Sequence, residues 1–348
     1  MSLDILQRGR AKLSFICSVG IERARTRSAV YGEVKEAVDN GESLPEDLDE
    51  RAAKIEGLLR NSDNYANYLA VHKWHLRNTT QAAFDAFEEN NSALIEELDK
   101  GLDGDTVLTV DENLVHPEYW KHDFHATTGG YDGHEYMGFI HGELIHKWIV
   151  DAAYGGAMFA QRFDATGETP KREYRRILDM GCGTGYFTLA LSQRFPDAEV
   201  HGLDCSRRML EYACRVGNRE GQAWQLHHGL NEKSGFPDGH FDLVTSYILL
   251  HELPVEAMNA TFREVFRILE PGGDFMMSDA TRYEAMDPIA VWQQDTNAVR
   301  EIEPYWRETA SLDFAEVASA AGFENVESYG TGPGKYPWIV RGTKPADA

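Results

Sequence analysis

Residues 177–185 read Ile-Leu-Asp-Met-Gly-Cys-Gly-Thr-Gly, between an apolar strand-like run at 176–179 and a helix-like run at 186–195. Glycine at alternate positions lets a backbone turn tightly and approach a ligand closely. A strand, a glycine-rich turn and a helix in this order are typical of an open α/β sheet, where ligands bind at the carboxyl ends of the strands. The stretch therefore predicts a fold class and the edge of the sheet where a ligand binds.

The rest of the C-terminal half continues this alternation. Further strands are predicted at 199–204, 223–228, 241–247 and 274–278, with a terminal hairpin at 326–329 and 338–341. Helices are predicted between them, at 207–216, 257–269 and 314–321. We expect an α/β fold with a doubly wound, Rossmann-like, mostly parallel sheet of seven strands, covered by helices on both faces.

The N-terminal part has a different pattern. Residues 3–103 repeat apolar side chains at helical spacing, with breaks at 41–45 and 61–63 where Ser and Asp can cap the next helix. We expect an α-helical domain of three or four helices over 1–104, serving as a cap or as the surface of a homodimer. A connecting segment over 105–172, rich in His and aromatic residues and containing a short strand at 105–110, is expected to lie over the site of a ligand-binding domain at 173–348.

The composition restricts the partners. The 348 residues carry a formal net charge of −23, so the surface repels nucleic-acid phosphates and anionic lipid. The sequence has no apolar run long enough for a membrane helix, and its four cysteines form no C-x-x-C pair. We expect a soluble protein of the reducing cytoplasm that binds neither nucleic acid nor a membrane.

An acidic residue follows the glycine-rich stretch at a spacing typical of a ribose-binding carboxylate. Asp204 ends the next predicted strand, 19 residues after Gly185, where a carboxylate can accept both hydroxyls of a ribose. Two details disfavour a nicotinamide dinucleotide. The glycines are spaced G-x-G-x-G instead of G-x-G-x-x-G, and Asp179 would place negative charge beside a pyrophosphate. A carboxylate at this position suits a cationic ligand.

With these features, residues 174–341 resemble the class I S-adenosylmethionine-dependent methyltransferases. The resemblance includes Phe-Pro-Asp-Gly-His-Phe-Asp at 236–242, Leu-His at 250–251 and Pro-Gly-Gly at 271–273. It implies S-adenosylmethionine as cofactor and S-adenosylhomocysteine as product. The implied cofactor-binding residues are Asp179, Gly181, Gly183, Gly185, Asp204, Cys205 and Asn231.

Each of these residues has an expected contact within the resemblance. The glycines lie against the methionine part, which Asp179 helps to orient. Asp204 holds the ribose and Cys205 flanks the adenine. Asn231 stands beside the position where many family members carry an Asp that bonds the adenine amino group, and its side-chain carbonyl can accept the same bond.

Three residues are candidates for catalysis. His125 and Tyr131 belong to the segment before the cofactor domain, and His251 follows the fourth strand of that domain. A neutral imidazole is the usual proton acceptor near pH 7, although a histidine at the position of His251 often has a packing role. A methyl acceptor that is already neutral needs no base. No histidine spacing matches a recognised metal site, so we expect no metal.

The acceptor is expected to be a small molecule. Glu252 can contact a cationic acceptor, and Tyr305 and Trp306 can form a loop that closes over it. We expect methyl transfer by in-line displacement to an O, N, S or C atom. The alternatives are a protein or peptide methyltransferase that docks its substrate on the helical domain, and a cofactor-binding scaffold without turnover.

Overall fold

The computed structural model describes residues 5–153 and 155–348, which contain one sheet of eight strands. In chain order the strands are β1 (Val107–Thr109), β2 (Arg176–Met180), β3 (Glu199–Asp204), β4 (Gln225–His228), β5 (Phe241–Tyr247), β6 (Leu269–Asp279), β7 (Glu324–Gly330) and β8 (Trp338–Thr343). Their order across the sheet is β1-β4-β3-β2-β5-β6-β8-β7. The expected Rossmann-like, mostly parallel sheet is confirmed.

The strand count differs from the expected seven by one. Strands β1 to β6 pair in parallel, and the hairpin of β7 and β8 adds antiparallel strands at one edge. The eighth strand is β1, which pairs with β4 at the other edge through the register Val107 to Gln225. The local sequence predicts a short strand at 105–110 but no partner for it, because strand pairing over more than 100 residues leaves no local signal.

Thirteen α-helices occur in the described part of the chain. They are α1 (Gln7–Asp39), α2 (Leu48–Leu58), α3 (Asp63–Glu88), α4 (Asn91–Lys100), α5 (Met137–Phe139), α6 (Asp151–Ala153), α7 (Met158–Ala165), α8 (Tyr186–Arg194), α9 (Arg207–Arg219), α10 (Val255–Ile268), α11 (Pro288–Glu301), α12 (Trp306–Ser311) and α13 (Phe314–Ala320). A π-helix, Ile140–Val150, lies between α5 and α6. None of the described helices has the length and apolarity of a membrane span.

Four helices account for the N-terminal region. The predicted break at 61–63 is the start of α3, where the side chain of Ser62 accepts a hydrogen bond from the backbone N–H of Tyr65. Asp47 caps α2 in the same way. Residues 3 and 4 of the predicted helical stretch lie outside the described residues.

The N-terminal helices share a hydrophobic core with the sheet layer. One cluster of buried side chains contains Leu13 of α1, Phe87 of α3, Leu144 of the π-helix and Val216 of α9. Burial of apolar surface is the main favourable term in folding. The N-terminal helices are therefore packed against the helices that cover the sheet. They lie near the carboxyl end of β2, where the glycine-rich stretch begins.

Glu143 of the π-helix joins the connecting segment to the sheet layer. Its Oε1 accepts hydrogen bonds from the hydroxyls of Tyr186 (2.7 Å) and Tyr212 (2.6 Å), and Oε2 lies 3.0 Å from the ammonium of Lys147. Burial alone would raise the pKa of Glu143, but these partners lower it to about 2. The carboxylate therefore stays charged and fixes the π-helix on α8 and α9.

The same segment packs closely at Gly138, which supplies the first prediction. A Cβ there would lie 2.4 Å from the carbonyl oxygen of Arg208 and 2.5 Å from Cβ of Tyr212 in α9. Gly138→Ala should therefore lower the free energy of unfolding by about 1–3 kcal/mol, measured by urea denaturation. Gly32→Ala is the matched control, because a Cβ at Gly32 of α1 has no atom within 4 Å. The control should gain up to about 1 kcal/mol from helix propensity. Equal effects would contradict the described packing.

Candidate functional site

A cavity of about 810 Å³ lies at the carboxyl ends of β2, β3, β5 and β6. The loops after these strands form one side, and α1, α3, the π-helix and α11 form the other. The order of the strands reverses between β2 and β5 at this edge, which is where open α/β sheets bind ligands. The volume is typical of a site for small molecules.

The glycine-rich stretch forms the turn between β2 and α8. Gly181 and Gly183 line the cavity with φ of 63° and 51°, a left-handed backbone that favours glycine. A Cβ on Gly181 would lie 2.7 Å from Cδ1 of Leu249, whereas a Cβ on Gly183 would point into open space. Gly185 does not line the cavity. It begins α8, where a Cβ would lie 3.0 Å from the ring of Trp224.

Asp204 connects the turns after β2 and β3. Its Oδ2 accepts a hydrogen bond from the backbone N–H of Gly183 (2.8 Å), and its Oδ1 accepts one from the backbone N–H of Ser206 (2.7 Å). The side chain lines the cavity, and burial raises its pKa to about 7. This carboxylate both holds the glycine turn and faces the cavity.

The other predicted cofactor residues occupy different depths. Asp179 is buried beneath the turn and does not line the cavity, and its Oδ2 accepts a bond from the hydroxyl of Thr188 (2.7 Å). Burial raises the pKa of Asp179 to about 7. Asn231 and Cys205 both line the cavity. The buried Oδ1 of Asn231 has no hydrogen-bond partner within the described chain.

Comparison with known proteins identifies the family. A family described as "Methyltransferase domain" matches residues 177–273. Uncharacterized methyltransferase sll0829 of Synechocystis sp. is 31% identical over 158 residues, which cover 44% of this chain and 69% of that protein. The chain belongs to the class I S-adenosylmethionine-dependent methyltransferases. Its cofactor is S-adenosylmethionine.

Two further methyltransferases are similar to parts of this chain. Uncharacterized methyltransferase YcgJ of Bacillus subtilis is 29% identical over 181 residues, which cover 51% of this chain and 68% of that protein. A ubiquinone/menaquinone biosynthesis C-methyltransferase of Desulfotalea psychrophila is 35% identical over 106 residues, 30% of this chain and 42% of that protein. Each match leaves about half of the methyltransferase chain or more without a counterpart.

The residues at the cavity of the methyltransferase fit this cofactor. The free Oδ1 of Asn231 can accept a hydrogen bond from the adenine amino group, and the space beside Gly183 leaves the turn open to a ligand. Arg162 of α7 also lines the cavity, with its guanidinium 5.3 Å from the centre of the Tyr247 ring. Arg162 forms no ion pair with any described residue and can hold the methionine carboxylate.

Elsewhere in the cavity, His125 lies between two carboxylates. Its Nδ1 is 2.6 Å from Oε1 of Glu303, and its Nε2 is 3.4 Å from Oε1 of Glu252. Burial alone would lower the pKa of His125, but the two carboxylates hold it well above its usual value. His125 therefore carries a proton near pH 7, unlike the neutral imidazole expected from the sequence. Its backbone has φ of 54°, which is strained for a residue other than glycine.

Tyr131 belongs to the same cluster. Its hydroxyl donates a hydrogen bond to Oε1 of Glu252 (2.5 Å), and burial together with that carboxylate raises the pKa of Tyr131 well above its usual value. Burial would raise the pKa of Glu252, but His125, His251 and Tyr131 lower it. Tyr131 and Glu252 both line the cavity, so the structure brings together His125, Tyr131 and Glu252.

His251 lies at the cavity wall and is fixed from behind by Asp279. Its Nδ1 is 2.8 Å from Oδ1 of Asp279, and its ring packs edge-on against Trp306 with 4.8 Å between ring centres. Burial would lower the pKa of His251, but the carboxylate of Asp279 raises it to about 9. Trp306 lines the cavity at the start of α12. Tyr305 does not line it and instead lies 3.1 Å from His122 through its hydroxyl.

Two further histidines in the cavity are neutral. His141 and His146 are five residues apart, and the π-helix brings their rings to 4.2 Å between centres. Burial lowers the pKa of His141 to about 3 and lowers that of His146 well below its usual value. Within the described residues, no group of three ligands suitable for a metal ion converges here or elsewhere.

Sequence reasoning missed three charged residues of this site. Glu303 and Asp279 fix the two candidate histidines, and Arg162 supplies an unpaired cation. Asp279 ends β6, so the rule that ligands bind at the carboxyl ends of strands offered a signal for it. Glu303 and Arg162 offered none, because each meets its neighbours across long sequence separations.

The pair of His251 and Asp279 gives a prediction for stability. A histidine with a pKa of about 9 in the folded state and about 6.5 when unfolded stabilises the fold fully below pH 6.5, and this contribution is lost as pH rises toward 9. The difference in free energy of unfolding between wild type and His251→Gln should therefore be largest at pH 6 and shrink by pH 9. His228→Gln is the control, because the ring nitrogens of His228 lie near the backbone carbonyls of Asp111 and Cys205, and His228 forms no ion pair with a described carboxylate. A difference for His251→Gln that does not change with pH would contradict the paired state.

Proposed function

We propose that the enzyme transfers a methyl group from S-adenosylmethionine to a small-molecule acceptor held in this cavity. One observation supports the proposal most strongly. A single cavity is lined by the glycine turn on one side and by the cluster of His125, Glu252 and Glu303 on the other. Cofactor and acceptor can therefore meet in one space, of which α1, α3 and α11 form part of the wall.

The cofactor half of the proposal assigns roles to cavity residues. Gly181 and Gly183 let the cofactor approach the turn. Asp204 accepts hydrogen bonds from the ribose hydroxyls and also holds that turn. The side-chain carbonyl of Asn231 accepts a hydrogen bond from the adenine amino group, and Cys205 flanks the adenine ring. Asp179 and Gly185 support the glycine turn without lining the cavity. When bound, S-adenosylmethionine supplies an electrophilic methyl group on a sulfonium that leaves as a neutral thioether.

The acceptor half follows from the protonation states of the histidines. His125 and His251 already hold a proton near pH 7, so they donate hydrogen bonds and orient the acceptor instead of accepting its proton. His141 is neutral, and its buried Nδ1 has no partner in the described chain, so it can accept a hydrogen bond from an acceptor hydroxyl or amine. Trp306 and Glu252 complete the wall, and Tyr305 supports it from outside the cavity.

The helices around the cavity favour a small acceptor over a protein or peptide. Residues of α1, α3 and α11 form the wall that faces the sheet loops, so the N-terminal helices act as a cap. The Desulfotalea relative is named as a C-methyltransferase of ubiquinone and menaquinone biosynthesis, which supports a compact organic acceptor. The attacked atom remains O, N, S or C in this proposal.

Location and assembly complete the proposal. The four cysteines are all unpaired, which supports a reducing cytoplasm. Phe15 of α1 and Trp74 of α3 form an exposed aromatic pair, 5.7 Å between ring centres, which supports a homodimer through the N-terminal helices.

Asp204→Ala tests the cofactor site. The substitution removes two hydrogen bonds that hold the turn and the acceptor for the ribose hydroxyls, so the Kd for S-adenosylhomocysteine should rise about tenfold or more, measured by calorimetry. Asp197→Ala is the control, because Asp197 is exposed and precedes β3 at the opposite end of that strand. An unchanged Kd for Asp204→Ala would remove the ribose assignment.

His125→Gln tests the acceptor site. Without the imidazolium, Glu252 and Glu303 repel each other and the acceptor loses a hydrogen-bond donor, so turnover should fall at least about tenfold. The Kd for S-adenosylhomocysteine should stay within about twofold of wild type. His122→Gln, three residues away and outside the cavity lining, should keep full turnover. Full turnover of both His125→Gln and His251→Gln from pH 6 to 9 would show that neither of these two histidines takes part.

A further inference from the structure

We propose that the acceptor carries an anionic group, a carboxylate or a phosphate, which binds to Arg27 and Arg23 on the α1 wall of the cavity. The inference rests on the proposed function and narrows its acceptor to one chemical class. Both arginines line the cavity, together with the polar side chains of Gln293 and Asn297 from α11.

Positive charge predominates on this wall. Among the cavity-lining residues of α1, α3 and α11, the acidic side chain is Glu301 and the two arginines are Arg23 and Arg27. Glu301 forms an ion pair with Arg23, with 3.1 Å between Oε1 and Nη1. The charge of Arg27 is therefore left uncompensated. Burial and the nearby arginines, Arg23 first among them, lower the pKa of His72 behind this wall to about 4.

Arg27 is available to a ligand. Its side chain forms no ion pair or hydrogen bond with any described residue, while its backbone carbonyl accepts a bond from Nε2 of Gln293 (2.9 Å). The residue is exposed and also lines the cavity, so it lies where the cavity reaches solvent. A guanidinium offers five donors in a planar fork that matches a carboxylate or a phosphate.

Several neighbouring cations of α1 are already paired with carboxylates, whereas Arg27 is not. The sequence has 57 acidic and 34 basic residues, so carboxylates outnumber cations. On the same helix, Lys12 pairs with Asp85, Arg25 with Glu22 and Lys35 with Asp39. The exception on α1 that matters here is Arg27, which faces the cavity without a carboxylate of its own.

The cofactor does not need this charge. Arg162 of α7, on the wall next to Tyr247 and the end of β5, is a second unpaired cation in the cavity. It belongs to the wall formed with the cofactor turn, whereas Arg27 belongs to the cap. One arginine can therefore hold the methionine carboxylate and the other an anionic group of the acceptor.

The test compares probes that differ in charge but little in shape. Wild type saturated with S-adenosylhomocysteine is titrated with benzoate, phenyl phosphate, benzamide and inorganic phosphate at constant ionic strength. Benzoate or phenyl phosphate should bind about tenfold more tightly than benzamide, and Arg27→Gln should abolish this preference. Arg25→Gln is the matched control, because Arg25 lies two residues away on α1 and outside the cavity lining. The control should keep the preference.

The outcomes separate this inference from the proposed function. Equal binding of benzoate, phenyl phosphate and benzamide, or equal losses in Arg27→Gln and Arg25→Gln, would overturn the anionic subsite. Inorganic phosphate binding as tightly as phenyl phosphate would also overturn it, because the site would then hold a free anion and no acceptor. The Kd for S-adenosylhomocysteine is measured first in every variant. Failure of wild type to bind it would contradict the proposed function, whereas normal binding without a charge preference would contradict the subsite alone.

Discussion

The carboxylate of Asp204 is the interaction on which both halves of the site depend. It accepts hydrogen bonds from the backbone N–H groups of Gly183 and Ser206, so one side chain holds the turns after β2 and β3. Ser206 then donates its hydroxyl to Asp132 (2.8 Å), which fixes the connecting segment above the cavity. From there Tyr131 reaches Glu252, the carboxylate that also lies beside the imidazole of His125. Hydrogen bonds, together with the backbone between Tyr131 and Asp132, therefore link the glycine turn to the cluster around His125. Such a set fixes the relative position of two ligands more precisely than apolar packing does.

The parts of the fold that were predictable are those that depend on local sequence. Strands β3 and β5 have the predicted bounds of 199–204 and 241–247, because parallel buried strands are short apolar runs between turn-forming residues. The hairpin of β7 and β8 and the cap of α3 followed from equally local signals. The π-helix was not predicted. What holds it is the contact of Glu143 with two tyrosines that lie 43 and 69 residues further along the chain.

The protonation states of the site histidines also depend on contacts between residues far apart in the sequence, so local sequence could not predict them. Six of the histidines lie between residues 116 and 146, and nothing in their local sequence distinguishes His125 from His141. In the structure they differ in protonation. His125 lies beside Glu303, 178 residues further along the chain, whereas His141 lies within bonding distance of no described carboxylate. Sequence identified the residue types that the site uses. The fold decides which of them is a cation and which is a neutral acceptor of hydrogen bonds.

This arrangement has a consequence for catalysis by fixed charges. A polar site is most effective when its dipoles and ion pairs are in place before the reaction and need not reorganise during it. Asp279, the partner of His251, accepts hydrogen bonds from the backbone N–H groups of Leu250 and Ala280, which hold the buried pair in place. His125 is held in the same way by its ion pair with Glu303. The charges of His125 and His251 are therefore already paired with carboxylates before a ligand binds. The strained backbone at His125 is consistent with this view, since the surrounding bonds must outweigh a cost of about 1–3 kcal/mol to keep the imidazole in position.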